Sequence, residues 1–191
     1  MEVVVTREPG GTAVAERIRR VLLDNKNRRL STLAELLLLE ASRAQHVHEV
    51  IAPALERGAV VLCDRFADSS TAYQGYGRGL DLQMVEQLNR IAAASVWPDL
   101  TLVLDLPTEV GLKRLRRRRR ALDRMERQQR SFHRRVRCGY LEIAKKDPGR
   151  VKVLNAREPR DVVQAAVRQL VFQRLGGSMR KLGTHENIKA G

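Results

Sequence analysis

The chain has 191 residues, 36 Lys and Arg against 22 Asp and Glu for a net charge of +14, and 43% hydrophobic residues. That length suits a single domain, and so much apolar content in periodic blocks excludes a wholly disordered chain. No run of 18 apolar residues is present, which excludes a membrane-spanning helix, and the start MEVVVTREPGG lacks the basic-then-apolar pattern of a secretory signal.

In chain order, Glu2–Thr6 reads as a short buried strand that Pro9-Gly10-Gly11 ends. Thr12 caps a helix with apolar positions at Val14, Ile18, Val21 and Leu22. After a polar connection, Thr32 and Glu35 form a capping box that opens a long helix through Leu36, Leu37, Val47 and Ile51. Pro53 is expected to bend that helix and Gly58 to end it. Ala59–Cys63 is a second buried strand that closes on Asp64-Arg65. A helix follows Asp68, and Gly75–Gly79 reads as a loop whose glycines serve a turn. Asp81 caps a helix reaching about Ser95, and Leu100–Leu104 is a third strand. Pro107 opens a further helix at its first turn. Another helix spans about Gln128–Lys145, Val151–Leu154 is a fourth strand, and a last amphipathic helix follows Pro159. Residues 176–191 read as a polar, disordered tail behind a single domain over 1–175.

Continuous apolar strands alternating with helices predict an α/β fold, a three-layer arrangement with a parallel sheet covered on both faces. Ligands in such sheets bind at the carboxyl ends of strands, where Thr6-Arg7-Glu8, Asp64-Arg65 and Asp105 fall. The positive charge is local: between Lys113 and Arg137, thirteen Lys and Arg stand against Asp123 and Glu126. A solvated basic helix face, a nucleic-acid arm or a segment closing over a polyanion would each carry such a run. Aromatics are 4% of the chain and none interleaves Arg116–Arg120, which argues against base stacking. His46 and His48 stand two apart on a helix and face different ways, so they do not pair as metal ligands. His133 and His185 read as bland surface or half-buried residues, and the two cysteines, Cys63 and Cys138, make neither a disulfide framework nor a metal spacing, consistent with a reducing cytoplasm.

Six blocks occur in order: Thr6-Arg-Glu-Pro-Gly-Gly-Thr12, Arg43-Ala-Gln45, Asp64-Arg65, Asp68-Ser-Ser-Thr-Ala-Tyr-Gln-Gly75, Pro98-Asp-Leu-Thr101 and Asp123-Arg-Met-Glu126. Together they resemble the bacterial thymidylate kinases over about residues 2–172. The resemblance implies a fold of the P-loop nucleoside-monophosphate kinase type, transfer of the ATP γ-phosphoryl group to dTMP to give dTDP, Mg2+ as cofactor and a cytoplasmic homodimer. It implies that Arg65 forks onto the acceptor phosphate, with Asp64 orienting it or reaching the metal's water shell. On the two residues alone, Asp64-Arg65 would equally suit a structural ion pair. The resemblance further gives Arg43 to the thymine edge, Ser69, Ser70 and Gln74 to the base-binding segment, Tyr73 to the deoxyribose, and Arg7, Glu8 and Pro9 to the wall of the acceptor site. The basic run matches a lid over ATP, about residues 114–127. One or more of Arg116, Arg117, Arg118, Arg119 and Arg120 would reach the transferring phosphoryl group, with Arg120 and Arg124 on the ATP lid. A nucleic-acid partner fits this pattern less well.

Two departures from the family pattern stand out. Leu39 occupies a helix position that usually holds an aromatic stacking on thymine, so weaker dTMP binding is expected. The glycine loop ending in Lys-(Ser/Thr), which holds the donor phosphates, does not occur among these residues, and Met1 stands at the family's second strand. A fragment, a strand borrowed from another polypeptide, or a dTMP-binding remnant without catalysis would each account for this. The expected fold has its first strand and P-loop absent from this chain, with kinase activity impaired. An unfilled slot would then separate the strands at 2–6 and 59–63 from those at 100–104 and 151–154.

Overall fold

Val3–Arg7 (β1) and Val60–Asp64 (β2) pair in parallel with Val3 beside Val60 and Arg7 beside Asp64. The β-branched run Val3-Val4-Val5 suits this pleated pairing. The computed structural model describes residues 1–117 and 121–183, with backbone only from residue 177. Two compact units are present, one built from residues 1–97 and 108–143, the other from 98–107 and 144–191.

In the first unit the chain leaves β1 through Gly10 and Gly11, both at positive φ. At Gly11 a side chain is excluded, because a Cβ would lie 2.6 Å from the His46 ring. Helix α1 (Ala13–Leu23) starts as expected: the Thr12 hydroxyl accepts from the Ala15 amide at 3.1 Å. Helix α2 (Thr32–His46) departs from expectation. Its cap is Ser31, whose hydroxyl accepts from the Ala34 amide, and Thr32 is already helical. Glu35 therefore sits one residue too late to close the box and turns into the core, 1% exposed.

Pro53 is accommodated rather than breaking the helix. Val47–Ile51 widens into a π-helical turn before α3 (Ala52–Glu56), which absorbs the missing amide. Ala67–Ser70 (α4) runs on into a second π-helical segment, Thr71–Gly77, so the expected loop at Gly75 is helical through Gly77. Gly77 is needed there: a Cβ would meet Phe132 and Val136 at 2.8 Å. Helix α5 (Leu82–Ala93) carries the expected cap, Asp81 accepting from Met84 at 2.8 Å. Helices α6 (Thr108–Arg116) and α7 (Arg130–Lys146) follow. The core joins Ala15, Leu22, Leu36, Ile51 and Val85 with Phe132 and Val136 of α7.

The second unit pairs β3 (Thr101–Asp105) with β4 (Val151–Asn155), again in parallel and with Thr101 beside Val151. Arg150 donates to Thr101 at 2.9 Å and to Asp147 at 2.7 Å, fixing the entry to β4. Helix α8 (Arg160–Gly183) continues past Gly176, where the sequence suggests a tail; residues 184–191, including His185, lie outside the described residues. The four expected strands are all present, each ending about one residue later than the apolar runs suggest.

Candidate active site

The site starts at the end of β2. Its ladder with β1 is extended by the Glu8 amide donating to the Asp64 carbonyl at 2.9 Å. Arg65 then takes φ 73°, a left-handed conformation that non-glycine residues adopt at a cost. That turn carries the Arg65 guanidinium over the Tyr73 ring, 4.7 Å from its centroid. A cavity of about 390 Å³ opens beside them. Arg7, Glu8, Pro9, Leu39, Arg43, Asp64, Arg65, Ser69, Ser70, Tyr73 and Gln74, the acceptor-side residues expected from the sequence, all line it.

Arg43 is the buried charge behind this cavity, 2% exposed. Its Nε donates to Glu8 at 2.9 Å, its Nη1 to Glu40 at 2.5 Å and Asn89 at 2.7 Å, and its Nη2 to Ser70 at 2.9 Å. A guanidinium has five N–H donors, so one on Nη2 remains beyond these four bonds. The Phe66 ring covers the cation at 5.1 Å. Glu40 brings a second carboxylate to the same guanidinium, and its Oε1 is buried without a hydrogen-bond partner. Burial pushes the Glu40 carboxyl above its ordinary range, against the pull of Arg43.

His46 is fully buried behind Glu8. Its Nδ1 lies 3.2 Å from Glu8 Oε1 and its Nε2 2.7 Å from the Thr6 hydroxyl, so it braces the carboxylate that holds Arg43. His48, two residues on, is exposed, as the spacing predicts.

Glu35 forms the other polar centre of the cavity wall. Its carboxylate accepts from Gln74 at 2.9 Å and from Arg78 through Nε and Nη2, both at 3.0 Å. Arg124 Nη2 lies 2.6 Å from Oε2, off the axis of a directional hydrogen bond, so that contact is ionic. Burial raises the Glu35 carboxyl, but the bonds from Arg78, Gln74 and Arg124 outweigh it and hold the group below its ordinary range. Because a carboxylate only accepts, it fixes the Gln74 amide nitrogen toward itself and leaves the amide oxygen as an acceptor.

Asp123-Arg-Met-Glu126 is a turn closed on itself. The Asp123 carboxylate accepts from the amides of Met125 and Glu126, and Glu126 accepts from the amide of Asp123. Arg124 faces inward, buried, donating from Nε to the Leu22 carbonyl at 2.7 Å. Expected on the ATP lid, it lies in the wall of this cavity, held by Glu35 and the end of α1. Neither Arg116 nor Arg117 lines that cavity, and Arg118, Arg119 and Arg120 fall outside the described residues.

Several lining residues are not evident from the sequence: Arg19, Glu35, Phe66 and His133. His133, read as bland, sits on this wall with a buried Nε2 and a pKa lowered by burial. Its placement depends on α7 packing, and no local signal marks it. Both cysteines are free, and burial with Glu8 and Asp64 nearby pushes the Cys63 thiol up to about 12.

Parallel strands with helical crossovers and an arginine-lined cavity at a strand end define an α/β class. A family model described as Thymidylate kinase matches residues 1–167. The chain is 55% identical to the thymidylate kinase of Pelotomaculum thermopropionicum over 165 residues, 86% of this chain and 76% of that protein. It is 49% identical to that of Geobacter sp. strain M21 over 197 aligned residues, covering 100% of this chain and 86% of the relative. The crystal structure of thymidylate kinase from Ehrlichia chaffeensis superposes with a TM-score of 0.71 at 36% identity, covering 89% of this chain and 80% of that one. The chain belongs to the thymidylate kinase family, a family of phosphotransferases, and the family match and superposition give its fold the P-loop nucleoside-monophosphate kinase type.

Proposed function

We propose that the cavity beside Arg65 binds dTMP as phosphoryl acceptor and that ATP is the donor, giving dTDP. The observation that carries this reading is the convergence of Arg65, Tyr73, Ser70, Gln74 and Arg43 on one cavity. Arg65, left open to the cavity at a strand end, forks onto the acceptor phosphate. Tyr73 packs against the sugar. The remaining Arg43 N–H and the Gln74 amide oxygen offer one donor and one acceptor, which complement the O4 acceptor and N3–H donor of thymine. Cytosine presents the reverse pattern. Leu39 supplies an apolar wall without the oriented ring contact of an aromatic.

Phosphoryl transfer between two anions needs positioning and neutralisation of charge more than covalent help. Mg2+ would supply part of that neutralisation. Asp64 fits it: its carboxylate is exposed and lines the cavity. Among the described residues no cluster of three or more His, Cys, Asp or Glu forms a cage. One carboxylate plus substrate phosphates and waters is the ordinary way Mg2+ is held. The arginines at 116–120 are assigned to the donor phosphates as a lid over about 114–127, with the kinase-like domain taken as residues 1–175.

No glycine loop ending in Lys-(Ser/Thr) lies within these 191 residues, so this chain by itself is proposed to have little or no kinase activity while retaining the acceptor site. A homodimer formed through α2 and α5 is supported by exposed Leu33, Leu37 and Ile91 on those helices. No helix among the described residues is long and apolar enough to cross a membrane; a cytoplasmic setting is proposed from the family alone.

Isothermal titration with dTMP tests the binding reading: saturable heat is expected, with dCMP at least tenfold weaker. A folded protein that gives no heat with dTMP would overturn it. Formation of dTDP from ATP by the purified chain, with contaminating kinase excluded, would overturn the claim that it has little or no kinase activity.

A further inference from the structure

The segment Leu122–Gln128 follows the arginine run and forms part of the cavity wall through Asp123, Arg124, Met125 and Glu126. It is anchored from two directions. The end of α1 holds its backbone: Asn25 donates to the Leu122 carbonyl at 3.0 Å, and the Arg124 amide donates to the Leu23 carbonyl at 3.3 Å. The turn that carries Tyr73 and Gln74 holds its side chains, since Arg78 donates to Gln128 at 2.8 Å and lies 3.5 Å from the Met125 sulfur. Glu35 joins these groups. Four contacts occupy its carboxylate: two from Arg78 and one from Gln74 on the turn side, and one from Arg124 on the segment side.

We propose that Glu35 is a positioning residue that couples occupancy of the acceptor cavity to the ordering of Leu122–Gln128, and so to the root of the arginine run. A ligand seated against Tyr73 and Gln74 stabilises the arrangement in which Gln74 and Arg78 hold the Glu35 carboxylate in place. That arrangement also holds Arg124, whose departure would leave the buried Glu35 carboxylate one ionic partner short. Opening of the segment therefore costs more when the cavity is filled. By linkage, an ordered segment raises affinity for the acceptor. The sequence hides this role, because Glu35 in the first turn of a helix reads as a cap.

The inference rests on the proposed acceptor, so its test separates the two. Amide hydrogen exchange is followed by mass spectrometry on peptides covering 121–129 and 71–77, in the wild type, Glu35→Gln and Arg124→Gln. Each protein is measured without dTMP and at a dTMP concentration that saturates its calorimetric titration. In the wild type, dTMP is expected to slow exchange at least fivefold in both peptides. In Glu35→Gln it slows 71–77 but changes 121–129 less than twofold. Arg124→Gln removes the segment's end of the link, together with the bond from Nε to the Leu22 carbonyl, and behaves the same way, which covers the case in which the Glu35 variant does not fold. Undiminished protection of 121–129 in a folded Glu35 or Arg124 variant overturns the coupling, as does wild-type protein that binds dTMP without slowing that peptide. Absence of dTMP binding by the wild type overturns the functional reading, and the coupling falls with it.

Discussion

Glu8 Oε2 and Arg43 Nε meet at 2.9 Å, with their side chains only 5% and 2% exposed. They lie 35 residues apart, in the turn after β1 and the last turn of α2. Breaking a buried pair so that one charge is left uncompensated costs about 3–5 kcal/mol. Glu40 still faces the Arg43 guanidinium, so Glu8→Ala is expected to lose less than that in urea denaturation. Glu8→Gln, which still accepts from Nε, should lose less; equal losses would show that the hydrogen bond adds nothing beyond the charge.

Arg65→Lys keeps the charge and the same backbone requirement at φ 73° but removes the fork. Loss of a charge-assisted bond of about 1.5–3 kcal/mol corresponds to roughly 10- to 150-fold weaker dTMP binding. Calorimetry reads this directly. Thermal stability should move little, because the guanidinium is open to the cavity.

Leu39→Phe restores a ring to the cavity wall and is expected to tighten dTMP binding about 2- to 12-fold, the equivalent of 0.5–1.5 kcal/mol. Unchanged or weaker binding would mean that the ring cannot be oriented among its neighbours.

Glu40 gives a stability-versus-pH prediction with a definite sign. Its carboxyl is raised in the folded protein by burial, so folding favours the protonated form. The stability this contributes is fully present below the unfolded value near 4.5 and is lost as pH rises through the folded value. Glu40→Gln imitates the protonated group and removes the dependence. Urea titrations from pH 4 upward should show the wild type losing ground to Glu40→Gln as pH increases. A constant difference would mean that Glu40 is ionised throughout, carried by Arg43.

Gly11→Ala places a Cβ 2.6 Å from the His46 ring at φ 90°. Strain at that φ alone costs on the order of 1–3 kcal/mol. The lowered midpoint should be accompanied by weaker dTMP binding, since His46 braces Glu8 and Glu8 holds Arg43.

The sequence by itself determined the strands, most of the helices and a set of residues that share one cavity. Apolar runs of four or five residues fix parallel strands, although Val3 and Val5 of β1 stay exposed where the run predicts burial, and Thr12 and Asp81 fix helix starts through bonds that span only three residues. Arg65, Ser70 and Tyr73 follow one strand directly, so their shared cavity is set by local chain geometry. The roles of Glu35, His46 and Arg124 were decided only by tertiary structure. Each is a charged or polar residue whose local pattern suggests a solvent-facing position or a cap, and each is buried. What selects burial is a partner far away in sequence: Arg78 and Arg124 for Glu35, Thr6 and Glu8 for His46, and the Leu22 carbonyl for Arg124. A buried charge is stable only where such partners converge, and convergence across 40 to 100 residues is a property of packing that no local periodicity encodes.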